Sequence, residues 1–197
     1  MKHDNTSVAI TGFGVISPIG IGAQEFTTGI LEGRSGLKPI NGVCASPLPF
    51  DQACVIPEFE VKTYLGKKGT QSMDRTTGLA VAASGMALQH SGVAITPANE
   101  TRSGVVLGTS TGSMRSISTF TKETFVQHPP YLVSATEFPN TVMNCAAGQC
   151  AIWHNLKGIN ATVSGGRLSS LLALRYALLK LRLGYTDLVL AGGVEEF

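Results

Sequence analysis

The sequence contains few charged residues. Asp, Glu, Lys and Arg make up 14% of its 197 residues, against roughly 25% in ordinary soluble domains. Hydrophobic residues make up 43%, so we expect other protein to cover part of the surface. The formal charge is only +2, and the basic residues are scattered apart from Lys67 and Lys68. This pattern argues against a nucleic-acid-binding protein, which needs a basic patch.

Cysteine is also scarce, and no CxxC pair occurs. A disulfide framework or a zinc site would need closer or more regular spacing. We therefore expect small buried thiols, and we predict neither a metal nor a cofactor. The four residues are Cys44, Cys54, Cys145 and Cys150.

A long uninterrupted apolar run is missing as well. The most apolar stretch, 171–183, is broken by Arg175, Lys180 and Arg182, and is too short and too charged to span a membrane. The polar start of the chain does not resemble a signal peptide. We therefore expect a soluble cytoplasmic protein that has no membrane partner.

Short apolar runs alternate with segments of helical spacing. The alternation predicts an α/β fold in one domain, 1–197, with a sheet covered on both faces. The segment 168–183 is apolar nearly all round, which predicts a helix in the interior. Strands are predicted at Val8–Thr11, Gly104–Gly108, 160–164 and Asp187–Ala191, and helices at 23–32, 73–91, 115–126, 141–156 and 168–183.

Six ordered segments resemble the β-ketoacyl synthases of the thiolase-like superfamily. They are Thr11–Gly20, Met73–Arg75 with the alanine-rich helix that follows, Gly108–Gly112, Phe138–Asn144, Leu156–Gly158 and Ala191–Glu195. The resemblance implies the N-terminal half of an αβαβα fold, with a mixed sheet and a buried central helix. The C-terminal half, which supplies two histidines and a lysine in the family, is expected to be absent from this chain.

The family's nucleophilic cysteine begins the central helix, and this position can be counted from both sides. Counting forward from Gly158 and backward from Ala191 gives Arg167 in each case. Arginine is permanently cationic and cannot attack a thioester. The resemblance therefore implies that no catalytic nucleophile is present. The flanking Ser169 and Ser170 are expected to cap the helix, and His154 to be a satisfied polar residue.

A cation at the start of a helix must reach solvent or an acceptor. We expect Arg167 to be paired or at an interface, and the candidate partners are Glu195, Glu196 and carboxylates of other chains. Five further residues in matching segments are candidates for lining the acyl tunnel or an interface, namely Thr109, Ser110, Phe138, Asn140 and Met143.

The first functional hypothesis is a non-catalytic subunit of the chain-length-factor type. Such a protein assembles with an active ketosynthase in type II polyketide or fatty acid biosynthesis and helps to shape the acyl tunnel. Its partners would be the ketosynthase, a separate C-terminal half, or both, with acyl carrier protein in the complex. Family members of this type usually carry glutamine at the position of Arg167. This chain therefore resembles a chain-length factor in its expected role more than in the residue at this position.

Three alternatives remain. The chain is half of a split β-ketoacyl synthase that performs decarboxylative Claisen condensation once joined to its other half. It is a fragment of a longer protein. In the third alternative, the chain is a small-molecule-binding domain that uses the loop at Gly108–Gly112 as an anion site.

Overall fold

The structure is a computed structural model that describes residues 7–40, 49–56 and 59–196. Within these ranges the α-helices are α1 Ala23–Leu31, α2 Val61–Leu65, α3 Arg75–Ser91, α4 Met114–Val126, α5 Cys145–Trp153 and α6 Ser169–Arg182. The strands are β1 Ile16–Ser17, β2 Gly20–Ile21, β3 Leu37–Pro39, β4 Gln52–Cys54, β5 Ser103–Gly108, β6 Asn160–Val163 and β7 Leu188–Gly193.

The main sheet has three parallel strands in the order β6-β5-β7. All six residues of the central strand β5 are buried, as is typical of a parallel sheet with helices on both faces. Successive side chains of β5 point to opposite faces. Val105 and Leu107 join a core with α3 and α5, whereas Val106 packs against Ala173 and Ala177 of α6.

Helix α3 has clear signals at both ends. The Asp74 carboxylate accepts a hydrogen bond from the Thr77 N–H at 2.9 Å and caps the first turn. Gly92 ends the helix in the left-handed region, with φ +68°. The helix predicted from the alanine-rich pattern is therefore confirmed, although it begins at Arg75.

The strand predicted at Val8–Thr11 is wrong, since residues 7–15 lie outside any strand. Gly12 and Gly14 instead approach the α3 backbone so closely that a Cβ on Gly14 would lie 2.0 Å from the Ala83 oxygen. Residues 12–14 thus pack against helix α3 and do not pair with a strand. Ile10, earlier in the same segment, is 88% exposed. An apolar run forms a strand only where a neighbouring strand takes up its backbone groups.

The predicted α/β class is confirmed. Parallel and antiparallel strands both occur, as expected, but in the described residues they form separate sheets. The main sheet is parallel, and the antiparallel pairs are two small hairpins, β1–β2 and β3–β4. No helix in the described part of the chain is both long and apolar enough to cross a membrane.

Helix α6 is buried on one face only. Ser169, Ala173 and Ala177 are buried, while Leu171 is 63% exposed and other leucines of the helix are also partly exposed. The prediction of an interior helix therefore holds for the sheet-facing side, and the other side of α6 remains open in this chain.

Candidate functional site

The carboxyl end of the main sheet brings three of the family-like segments together. The loop Gly108–Gly112 follows β5, the segment 164–168 follows β6, and Val194–Glu196 follows β7. The Thr109 N–H donates to the Val163 oxygen at 3.1 Å, and the Val194 N–H donates to the Gly108 oxygen at 3.0 Å. In parallel α/β sheets, ligands bind at this end of the strands.

Two glycines allow the first residues of α6 to lie close to the carboxyl ends of β5 and β7. A Cβ on Gly108 would lie 2.3 Å from the Ser169 carbonyl group, and a Cβ on Gly193 would lie 1.8 Å from the Ser170 hydroxyl. Both distances are far below van der Waals contact. The absence of side chains at Gly108 and Gly193 therefore sets the position of the α6 N-terminus.

A short 3₁₀ turn, Gly166–Leu168, places Arg167 immediately before α6. Gly166 has φ +57°, in the region that favours glycine. The Ser169 hydroxyl accepts from the Gly165 N–H at 3.0 Å and donates to the Gly166 oxygen at 2.6 Å. Ser169 thus bonds within the turn, and the expected side-chain cap of α6 by Ser169 or Ser170 is not formed.

Arg167 does not form an ion pair with Glu195 or Glu196, its two candidate acidic partners in this chain. Arg167 is exposed, and its guanidinium has no ion pair or hydrogen bond with any residue that the structure describes. The Glu196 carboxylate instead accepts from the Arg115 backbone N–H at 2.9 Å. An exposed guanidinium is solvated, so this placement costs little energy.

Glu195 instead holds the loop that follows β5. Its carboxylate accepts from the Ser110 backbone N–H and from the hydroxyls of Thr109, at 3.4 Å, and Thr111, at 3.5 Å. The Ser110 hydroxyl in turn donates to the Gly166 oxygen at 3.0 Å. This role of Glu195 was not predicted from the sequence, although an acidic residue just after one strand and a hydroxyl-rich loop after the neighbouring strand could have signalled it.

We expect Glu195→Ala to loosen the loop, because the Ser110 N–H and the two threonine hydroxyls lose their shared acceptor. Hydrogen exchange of the backbone amides at 109–112 should accelerate by about tenfold or more, the equivalent of about 1.4 kcal/mol. Glu196→Ala, which removes the same charge one residue later, is the control and should leave these amides unchanged. Equal exchange in both variants would contradict this role.

A second polar cluster joins α3 to the segments on its other side. The Asp74 carboxylate accepts from the Ser116 hydroxyl at 2.9 Å as well as from the α3 backbone. Asn140 is buried; its side-chain N–H donates to the Ser72 oxygen at 3.0 Å, and its side-chain oxygen lies 3.6 Å from the Cys145 sulfur. Asn140 therefore fixes the segment before α5 rather than lining an open surface.

Phe138 and Met143 lie on an exposed part of that segment. Phe138 is 58% exposed, and its ring lies 5.8 Å from the Phe120 ring, centroid to centroid. Met143 lies next to the glycine that ends the loop after β5, since a Cβ on Gly112 would be 3.5 Å from Met143. Of the five tunnel or interface candidates, Thr109, Ser110 and Met143 thus border one loop, while Phe138 contacts α4.

His154 is a satisfied polar residue, as expected. Its Nε2 atom lies 3.0 Å from the Val81 oxygen in α3, and burial lowers its pKa, against the effect of this hydrogen bond. The described residues include no hydrogen bond between His154 and Ser164, Ser169 or Ser170. A serine nucleophile activated by His154 therefore has no support in the geometry.

The cysteines differ in their surroundings. Cys150 is buried, Cys145 is half-buried and Cys54 is exposed, so the expectation of buried thiols is wrong for Cys54, and Cys44 lies outside the described residues. Burial raises the pKa of Cys145. Among the described residues, no group of three or more His, Cys, Asp and Glu side chains is arranged to hold a metal ion.

Cys150 gives the protein a pH-dependent stability. Burial raises the pKa of its thiol from 9.0 to about 11, against the opposing effect of the Ser84 hydrogen bond. The unfolded chain releases this proton near pH 9 while the native chain keeps it, so raising the pH between 9 and 11 favours unfolding. Between pH 8 and 10.5 the free energy of unfolding should fall by about 2 kcal/mol more in the parent protein than in Cys150→Ala.

Denaturant titrations at the two pH values would measure this difference. The exposed Cys54 provides the control, because Cys54→Ser should keep the pH dependence of the parent protein. If Cys150→Ala also keeps that dependence, the burial of the Cys150 thiol does not contribute in this way.

Around the carboxyl end of the main sheet, the described residues offer exposed surface and a cation, and they include no hydrogen-bonded pair of His154 with a flanking serine. Arg167 lies in the turn that precedes α6, and this turn is held by Ser169 and, through Ser110, by Glu195. A helix N-terminus stabilises negative charge, and the guanidinium adds to the positive potential there. The site could hold or repel charged groups, but Arg167 cannot form a thioester.

Comparison with known proteins gives a consistent result. A sequence profile described as "Beta-ketoacyl synthase, N-terminal domain" matches residues 5–196. The structure of the ishigamide ketosynthase/chain length factor is 38% identical with a TM-score of 0.85, covering 95% of this chain and 52% of that one. A β-ketoacyl synthase from Burkholderia phymatum STM815 is 26% identical with a TM-score of 0.82, covering 95% of this chain and 46% of that one.

A curated relative, 3-oxoacyl-[acyl-carrier-protein] synthase 2 of Vibrio harveyi, is 30% identical over 189 residues, which are 96% of this chain and 45% of the relative. The chain thus spans about half the length of the curated relatives it matches. The profile match covers nearly all of the chain, and the fold agrees with it. The chain therefore belongs to the β-ketoacyl synthase family and has the fold of its N-terminal domain.

Proposed function

We propose that this chain is a non-catalytic, chain-length-factor-type subunit that assembles with an active ketosynthase and helps to shape its acyl tunnel. The observation that carries the proposal is the arginine in the turn before α6, at the position where the family's cysteine is expected. A ketosynthase must form a thioester on a thiolate at this point. Arg167 supplies a cation in its place.

Two further observations support the proposal. The solved structure with 38% identity is that of a ketosynthase/chain length factor, so the fold is compatible with either role. In addition, the outward side of α6 exposes several leucines. An exposed apolar face of this kind is typical of a protein that works within an assembly.

The alternative is half of a synthase that becomes active once its other half is joined. The similarity to 3-oxoacyl-[acyl-carrier-protein] synthase 2 over 96% of the chain favours the alternative. The two functions differ in what they predict for this chain. A subunit without a nucleophile changes the product of another enzyme, whereas an enzyme half carries the acyl group itself.

Co-expression with the ketosynthase encoded nearest to this chain tests the proposal. The chain alone should elute in size exclusion as an oligomer or aggregate, because the exposed face of α6 is unprotected. Together, the two proteins should give one defined complex. Phe138→Ala should then change the distribution of product chain lengths, while Phe125→Ala, which removes an exposed phenylalanine from α4, should not.

A monodisperse monomer without the ketosynthase, or a product distribution that is the same with and without this chain, would contradict the proposal. Condensation by the complex after the ketosynthase's own cysteine has been replaced would instead favour the enzyme half.

A further inference from the structure

Ser110 bonds to the segments that follow both strands beside its own. Its backbone N–H donates to the carboxylate of Glu195, after β7. Its hydroxyl donates to the Gly166 oxygen at 3.0 Å, and its carbonyl oxygen accepts from the Ser164 hydroxyl at 3.5 Å. The backbone donor, the backbone acceptor and the side chain of this one residue therefore connect the ends of β5, β6 and β7.

The Gly166 carbonyl group accepts from two hydroxyls of different origin. Ser169, the first residue of α6, donates to it at 2.6 Å from a position three residues along the chain. Ser110 donates from the loop after another strand, 56 residues away in sequence. The Ser169 contact shapes the turn Gly166–Leu168, whereas the Ser110 contact attaches this turn to the loop at the end of β5.

The residue at position 167 depends on this backbone for its placement. The turn Gly166–Leu168 contains no buried residue, and the Arg167 guanidinium has no ion pair or hydrogen bond with any residue that the structure describes. Its own side-chain contacts therefore do not fix it. Where this residue lies follows from the hydrogen bonds made by the backbone of the turn.

We propose that Ser110 is a positioning residue for position 167. By holding the Gly166 oxygen, its hydroxyl keeps the turn at the positive end of α6, so that the group at position 167 lies in the potential of the helix. Glu195 acts through Ser110, because its carboxylate holds the backbone N–H of that residue. The inference rests on the proposed function in one respect, namely that position 167 is the functional position of the site.

Two other serines lie beside the turn without holding it in this way. The Ser164 hydroxyl reaches Ser110 at 3.5 Å, which is long for a hydrogen bond. The Ser170 hydroxyl has no hydrogen bond with any residue in the described part of the chain. Ser170 is therefore a matched control, because Ser170→Ala makes the same chemical change three residues from position 167.

The test places a thiol at position 167 in the full chain, alone or in its complex, and measures how alkylation by iodoacetamide depends on pH. The thiolate is the reactive form, so the pH midpoint of alkylation in Arg167→Cys reports the electrostatic potential at this position. Adding Ser110→Ala should move the midpoint to higher pH and slow alkylation at pH 7 by about two- to fivefold, because the thiol is then no longer held at the positive end of α6. The maximal rate at high pH should stay the same, since position 167 is already exposed.

Ser110→Thr keeps a hydroxyl donor and should retain the midpoint of Arg167→Cys, as should Ser170→Ala. Peptide mapping separates alkylation at position 167 from alkylation of the other cysteines. An unchanged midpoint in Ser110→Ala, an equal shift in Ser170→Ala, or a midpoint in Ser110→Thr as high as that in Ser110→Ala would overturn the inference. Iodoacetamide needs neither a partner nor acyl transfer, so the proposed function can fail or hold independently.

Discussion

Arg167→Cys should convert a chain that accepts no acyl group into one that does. The new thiol would lie in the turn Gly166–Leu168, at the positive end of α6, where the helix lowers the pKa of a thiol below its ordinary value. The thiolate would attack the carbonyl carbon of an acyl thioester, and the thiol of the carrier would leave. In the co-expressed complex, acylation should rise from undetectable to a large fraction of the chain.

The neighbouring residue provides a matched control. Leu168 is 58% exposed and lies in the same turn, so Leu168→Cys places a thiol on an exposed residue one position away. It should remain unacylated under the same conditions, as should Arg167→Ala. Intact-mass measurement followed by peptide mapping distinguishes these outcomes. Equal acylation of both cysteine variants would show that accessibility alone is enough, and that position 167 is not special.

Gly108→Ala should be among the most destabilising single substitutions in the chain. The added Cβ would lie 2.3 Å from the Ser169 carbonyl group, which is backbone and cannot rotate away. Either α6 or β5 must shift, and overpacking of this kind costs typically about 1–3 kcal/mol, with the upper end expected here because backbone meets backbone. The same shift would move the turn that carries Arg167.

Gly192→Ala is the corresponding control. Gly192 lies in β7, paired with Leu107 of β5, and a Cβ there would meet no atom within 4 Å. Its substitution should change the free energy of unfolding by about 1 kcal/mol or less. Urea titration of both variants measures the difference between their midpoints. A Gly108→Ala midpoint equal to that of Gly192→Ala would show that α6 is not held by this contact.

Much of the framework follows from local sequence signals. The buried strand β5 and the partly buried strand β7 are short apolar runs, and α3 has a cap at Asp74 and a stop at Gly92. Each signal lies within a few residues of the element it defines. The start of α6 beside Arg167 could be predicted from the family resemblance for the same reason, because counting along the chain needs no knowledge of the packing.

The errors concern contacts between distant segments. The run Val8–Thr11 has a strand's composition, yet Gly12 and Gly14 bring this part of the chain against α3. Glu195 was one of several candidate partners of Arg167, and in the structure its carboxylate binds the Ser110 N–H and two hydroxyls instead. Backbone donors at the end of a strand compete well with an exposed guanidinium, since the latter is already solvated.

The central claim is that this chain carries no nucleophile that accepts an acyl group. The direct measurement is intact mass of both chains after the complex with its ketosynthase has been incubated with acyl carrier protein bearing an acyl thioester. We expect the mass of the acyl group on the ketosynthase and an unchanged mass for this chain. An acyl adduct on this chain, mapped by peptide analysis to any residue of the Gly165–Ser170 segment, would contradict the account.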